Sequence, residues 1–262
     1  MSSGQPRWDP QRYLEFGDER GRAFVDLLAR VPADAPRLVV DLGSGPGNLT
    51  RTLADRWPTA QVVGVDSSPE MIEKARSDGA ADRVSYEVGD LRDWAPDQPV
   101  DVLLSNATFQ WVPGHLALLP RLLDAVRPGG WFAFQVPGNF AEPSHTAIRS
   151  LVAQPRWASR LTGTELAWPA SEEPATYQAA LARRCDRFDV WETTYLQVLQ
   201  GPRAVTRWMT GTALRPVLGA LDADEQDDFL AAYDDLVREA YPPQPWGTVL
   251  PFRRVFAVGR VR

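Results

Sequence analysis

After Ala33-Asp34-Ala35-Pro36 the chain turns abruptly apolar. Arg37 to Leu42 (RLVVDL) is a continuous hydrophobic run ending in Gly-Ser-Gly-Pro-Gly, which reads as a buried strand meeting a tight turn. Leu49 to Trp57 follows with helical spacing, and the alternation then repeats. Strand Gln61 to Val65 gives way to helix Pro69 to Ser77, strands Val84 to Val88 and Val100 to Leu104, helix His115 to Val126 and strand Trp131 to Val136. Short apolar runs alternating with amphipathic segments predict an α/β fold, a parallel sheet with helices on both faces. Upstream, Pro10 to Arg30 reads as one or two amphipathic helices, with Tyr13, Phe16, Phe24, Leu27 and Leu28 as the apolar positions. From about Glu142 the pattern changes to Pro-punctuated helical pieces, Ser144 to Val152 and Pro174 to Arg183, then a strand-like Asp189 to Leu199. Pro202 to Tyr241 is helical, with DADEQDD at a helix start, and Phe252 to Val258 is a last strand. No Gly/Ser or charged linker divides the 262 residues, so a single domain is expected.

Composition narrows the classes. Hydrophobic residues make up 44% and charged residues 24%, which argues against disorder. No stretch approaches the 18 or so apolar residues of a membrane span, and the first nine residues do not resemble a signal peptide, so a cytoplasmic protein is expected. One cysteine, Cys185, and two histidines, His115 and His145, argue against a disulfide and against a metal site. The net charge is -6, and Lys74 is the sole lysine. The arginines alternate with acids instead of forming a block, which disfavours nucleic acid as a partner. An anionic ligand would need a few well-placed arginines.

The densest chemistry lies in VVDLGSGPGNLT, Val39 to Thr50. A strand ending in Asp41, then Gly43, Gly45 and Gly47, then a helix, lets backbone pass close to a ligand. The spacing is G-x-G-x-G after an acid, where pyrophosphate binders use G-x-G-x-x-G, so a ligand without pyrophosphate is favoured. The second strand ends at Asp66, about 20 residues on, where an acid can accept ribose hydroxyls. The third ends near Asp90, placed to meet an adenine amino group, and the fourth just before Asn106. Four strands ending in polar residues on one carboxyl edge describe one crevice.

With these motifs the chain resembles the class I S-adenosylmethionine-dependent methyltransferases. That resemblance implies a Rossmann-like, mostly parallel seven-stranded sheet and S-adenosylmethionine as cofactor, with no metal. It also implies that Gly43 and Gly45 pass the methionine part, Asp66 holds the ribose and Met71 lies against adenine. Asp90 and Leu91 would flank the base, Asn106 would face the amino-acid end, and Asp41 would orient the glycine loop or the cofactor ammonium. Ser44, Asn48, Ser67, Gly89, Ser105 and Ala107 complete the expected cofactor shell, with Tyr13 and Arg20 from the N-terminal segment.

A closer resemblance, to the trans-aconitate methyltransferase family, runs through WDPQRYLEFGDERGRAFVDLLARV, DLGSGPGNLT, the run from Asp66 to Ile72, NATFQWVPGH, QVPGNFAEPSH, VWETTYLQVL and PFRRVFAV. The family usually has Cys where Ser44 stands. It implies esterification of a small anionic polycarboxylate, with Trp8, Gln110, Trp111, Gln135, Asn139, His145, Arg215, Arg253 and Arg254 as candidate substrate contacts. A carboxylate with pKa of about 4 is already ionised at neutral pH. No catalytic base is therefore required, and none is evident. The resulting layout is one domain, 1–262, with lid helices over 1–30 and a cofactor-binding core over 31–141. A helical cap over the acceptor site takes 142–187 and 200–250, and the last two strands take 188–199 and 251–260. A monomer is expected, without a membrane or nucleic-acid partner. Three rival readings remain: a secondary-metabolite methyltransferase with a changed acceptor, a non-catalytic cofactor-binding protein, and a nicotinamide dehydrogenase, the last disfavoured by the glycine spacing.

Overall fold

The computed structural model describes residues 17–78, 82–162 and 168–262. Five apolar runs become parallel strands: β1 (Leu38–Leu42), β2 (Gln61–Asp66), β3 (Val84–Val88), β4 (Val100–Asn106) and β5 (Val126–Pro137). With β6 (Cys185–Leu199) and β7 (Thr248–Val261) they form a seven-stranded sheet in the order β3-β2-β1-β4-β5-β7-β6, in which β7 runs antiparallel to β5. The chain leaves β1 toward β2 and β3 on one side and returns to β4 on the other. The carboxyl ends of β1 and β4 thus flank a topological switch point, where ligands of such sheets bind.

The intervening helices are α1 (Gly17–Ala29), α2 (Asn48–Arg56), α3 (Pro69–Ser77) and α4 (Leu119–Asp124). Ser68 caps α3 by accepting from the Met71 N–H at 3.2 Å, and Pro69 occupies the first turn, where a missing N–H costs nothing. The core around the sheet is built from Val40, Leu42, Leu103, Phe109, Leu122, Phe132, Phe134 and Val255, all essentially inaccessible.

The chain divides into two compact units. The sheet unit takes the described residues of 17–137 with 171–193 and 254–262; the second takes the described residues of 138–170 with 194–253. Helix α7 (Pro174–Ala182), expected with the helical addition, belongs to the sheet unit, because Tyr177 and Leu181 are fully buried in its core. In the second unit, α5 (Pro143–Val152) and α6 (Pro155–Ala158) accompany α8 (Ala204–Thr210), α9 (Arg215–Leu218) and α10 (Ala223–Ala240). The helical stretch from Pro202 to Tyr241 divides into α8, α9 and α10. The predicted start in DADEQDD is where α10 begins, with a capping box between Asp222 and Glu225. Trp157 packs edge-on against Phe229, and the Tyr233 hydroxyl donates to the Ser144 carbonyl at 2.8 Å, tying α10 to α5 and α6.

Candidate active site

The glycine loop is held by the strand beside it. The Val65 carbonyl accepts from the N–H groups of Gly43 (2.7 Å) and Ser44 (3.0 Å), and Asp66 Oδ2 accepts from the Gly45 N–H (2.8 Å). The other Asp66 oxygen accepts from the Ser68 N–H at 2.9 Å. Burial raises the Asp66 pKa above the ordinary carboxylate value, against these backbone donors. Asp66 and Val65, not Asp41, therefore orient the loop.

Asp41 faces a different situation. It is almost fully buried; Oδ2 accepts from Thr50 Oγ1 at 2.6 Å, while Oδ1 has no partner among the described residues. Burial chiefly, and then the Asp66 charge, pushes its pKa up to about 6. A buried carboxylate oxygen with no partner among the described residues fits the ammonium of an amino-acid ligand. Ser44 Oγ is also buried and without a partner among the described residues.

The three glycines have positive φ but serve different ends. A Cβ on Gly43 would lie 2.0 Å from Thr108 Oγ1, and one on Gly47 would lie 2.5 Å from the Tyr86 hydroxyl. Those two positions admit neighbouring side chains. Among the described residues, only Gly45 of the three opens onto space, with none of their atoms within 4 Å of the missing Cβ. Gly45 thus leaves room for a ligand to approach the backbone, whereas the vacancy at Gly43 is filled by Thr108. Sequence reasoning missed Thr50, Tyr86 and Thr108. Thr50 alone left a local signal, a hydroxyl in the first helical turn after the loop.

Around this loop, Met71 is buried at the start of α3, Leu91 is buried, and Ser67 is exposed. Asp90 lies beyond the end of β3, but its carboxylate is gripped by the Arg92 guanidinium and also accepts from the Arg92 N–H, which hold its pKa below the ordinary value. Ser105 Oγ donates to the Leu42 carbonyl at 2.9 Å, stitching β4 to β1. Asn106 ends β4 half-buried, and Ala107 follows in the left-handed region at φ 54°. A non-glycine residue there carries strain, held in part by the Ala107 N–H donating to the Gln135 carbonyl at 2.9 Å.

The expected substrate contacts distribute between the units. In the sheet unit, Gln110 is buried, its Nε2 donating to the Ala107 carbonyl and its Oε1 without a partner among the described residues. Trp111, half-buried, completes the 3₁₀ turn Phe109–Trp111. Gln135 and Arg254 are both buried and hydrogen-bonded to each other, so neither is an open ligand contact. In the second unit, Asn139 is 1% exposed with both amide ends unpaired among the described residues. His145 lies within α5, not at its N-cap; burial, with the Arg149 charge second, brings its pKa down to about 4. Arg215 begins α9, and Arg253 donates to the Gly138 carbonyl at 3.2 Å. Arg253 and Arg254 are neighbours on β7 and so face opposite sides of the strand. Trp8 and Tyr13 lie outside the described residues, as does the side chain of Arg20. Asn48 and Gly89 lie at the start of α2 and just past β3.

A seven-stranded sheet with this order, carrying a glycine loop at its switch point and acids at successive strand ends, defines a class I S-adenosylmethionine-dependent methyltransferase. A methyltransferase-domain family model matches residues 39–130, and the structure of phosphoethanolamine N-methyltransferase 2 from Haemonchus contortus in complex with S-adenosyl-L-methionine shares the fold, with a TM-score of 0.59 and 17% identity over 97% of this chain and 57% of that one. Trans-aconitate 2-methyltransferases from Streptomyces avermitilis (98% of each chain covered) and Rhodococcus jostii (97% of this chain, 100% of the relative) are each 50% identical to it, and the chain belongs to their family. No described helix is long and apolar enough to cross a membrane, and no described group of His, Cys, Asp and Glu side chains could hold a metal ion.

Proposed function

We propose that this protein esterifies a carboxylate of trans-aconitate with the methyl group of S-adenosylmethionine. The observation that carries the reading is the glycine loop at the switch point, where among the described residues one Asp41 oxygen is unpaired and the space at Gly45 is open, in a chain half identical to trans-aconitate 2-methyltransferases over nearly its whole length. When bound, the cofactor supplies a methyl group on a sulfonium, open to in-line attack by a carboxylate oxygen. The chain's own residues bind and orient. Asp66 takes the ribose hydroxyls with the lone pairs its backbone donors leave free, Asp41 takes the ammonium, and Met71 and Leu91 flank the base.

No residue needs to remove a proton, because the attacking carboxylate is ionised at neutral pH. Catalysis then comes from alignment, worth up to about 7–11 kcal/mol for well-oriented partners. An arginine paired with the attacking oxygens would blunt them, so Arg215 and Arg253 grip the acid's other carboxylates. Asn139, buried with both amide ends unpaired among the described residues, adds a polar contact to the same acid. The protein acts as a cytoplasmic monomer on this reading.

Purified protein given S-adenosylmethionine and trans-aconitate should yield the monomethyl ester. Turnover of a phenol or another acid, with none of trans-aconitate, would refute the assignment. Arg253→Ala should raise KM for trans-aconitate while leaving S-adenosylhomocysteine affinity intact.

A further inference from the structure

Behind Asn106 lies a chain of three polar side chains that the reaction as described does not use. Arg254 is 4% exposed and Gln135 1% exposed, yet neither is an orphan. Arg254 Nη1 donates to Gln135 Oε1 at 3.3 Å, and Gln135 Nε2 donates to Asn106 Oδ1 at 2.5 Å. The sheet sets this up: Asn106 on β4 pairs with Gln135 on β5, while Arg254 on β7 pairs with Pro137, two residues along β5.

The polarity of the chain follows from one fact. A guanidinium has only donors, whereas an amide has one donor end and one acceptor end and can turn over. Arg254 therefore forces the Gln135 oxygen toward itself, which leaves the Gln135 NH2 facing Asn106. That NH2 in turn draws the Asn106 oxygen inward and leaves the Asn106 NH2 as the group offered to a ligand. A buried positive charge at the far end polarises each bond in the same sense. We propose that Arg254 and Gln135 are positioning residues that fix Asn106 as a donor toward a bound carboxylate. Its first source is the amino-acid end of the cofactor, and its second is the acceptor acid. The proposal rests on the reading of Asn106 as a ligand contact.

The decisive variant is Gln135→Glu. The new carboxylate still accepts from Arg254, but it can only accept from Asn106 too, so the Asn106 amide turns over and offers its oxygen to the ligand. Replacing a charge-assisted donor by an acceptor facing a carboxylate should weaken S-adenosylhomocysteine binding about tenfold or more. Binding of 5′-methylthioadenosine, which lacks the amino-acid end, should be unchanged. Gln135→Met, which removes the relay without inverting it, should fall between wild type and Gln135→Glu and provides the same readout if the latter does not fold. A rise in KM for trans-aconitate with unchanged S-adenosylhomocysteine affinity would support the relay and assign the carboxylate to the acceptor acid.

Wild-type behaviour in both assays, or equal loss for both adenosine ligands, would overturn the relay, since general distortion does not single out a carboxylate. Asn106→Ala separates the two levels. If it changes neither S-adenosylhomocysteine affinity nor KM, the reading of Asn106 as a ligand contact is wrong; if it weakens either while both Gln135 variants do not, the relay alone is wrong.

Discussion

Gly43 and Gly45 stand two residues apart in one loop, and the structure assigns them opposite reasons for being glycine. In Gly43→Ala the new methyl falls 2.0 Å from Thr108 Oγ1 and 2.5 Å from its Cγ2, at a φ of +80°. The left-handed backbone costs a non-glycine residue about 1–2 kcal/mol, and overpacking a filled site costs about 1–3 kcal/mol more. A loss of about 2–5 kcal/mol should appear in the free protein, a fall in thermal midpoint of roughly 5–15 °C at this chain length. A double-mutant cycle with Thr108→Gly should return about 1–3 kcal/mol of coupling, the part due to the collision. In Gly45→Ala the φ is +55° but the methyl meets no described residue within 4 Å. Only the backbone strain remains, about 1–2 kcal/mol. If that space is where the cofactor passes, however, S-adenosylhomocysteine affinity should drop about tenfold or more, the equivalent of at least 1.4 kcal/mol. Denaturant unfolding of the free proteins and titration calorimetry with S-adenosylhomocysteine measure the two quantities separately. Wild-type affinity in Gly45→Ala, or a stability loss equal to that of Gly43→Ala, would refute the division of roles.

Two buried groups should tilt the pH dependence of stability in opposite directions. Asp41 rises to about 6 from 3.8, so the fold binds its proton more tightly than the unfolded chain, and this group's penalty grows as pH rises from about 4 to 6. Asp41→Asn should therefore stabilise the free protein above pH 6 by on the order of 3 kcal/mol while weakening S-adenosylhomocysteine binding; melts that track wild type from pH 4 to 8 would contradict this. His145 falls to about 4 from 6.5, so the unfolded chain protonates first and stability is lost as pH drops from about 6.5 to 4. His145→Gln should flatten that acid-side loss by about 3 kcal/mol, and an unchanged slope would show that the imidazole is not kept neutral in the fold. In the sheet unit the Tyr177 hydroxyl lies 2.7 Å from His115 Nε2 and accepts from the Glu172 N–H at 3.0 Å. Tyr177→Phe strands both partners and should cost about 1–3 kcal/mol, read as a lowered denaturation midpoint with the m-value unchanged.

How far the sequence could be read depended on the range of the interaction involved. β1 and β4 were legible because a strand buried on both faces is a continuous apolar run, β3 because an edge strand alternates, with Val84 and Tyr86 buried, and the glycine loop because positive φ selects glycine locally. β5 was read from Trp131, but it begins at Val126, since Arg127-Pro128-Gly129-Gly130 carries loop composition inside a strand whose ladder with β4 shifts register. The stretch Pro202 to Tyr241 reads as helical with one start, in DADEQDD, and α10 begins there, whereas the breaks after Thr210 and Leu218 are not marked in that reading. Roles of side chains were harder to read. Arg254 was expected among the substrate contacts on the strength of its charge, yet its Gln135 partner lies 119 residues away and is brought to it only by the antiparallel pairing of β7 with β5. Thr108 against Gly43 and Tyr86 under Gly47 are of the same kind, contacts created by strand order and invisible to spacing. The donor-only chemistry of arginine was available from the residue type alone. Once the register places it behind Gln135, that chemistry decides which end of Asn106 a ligand meets.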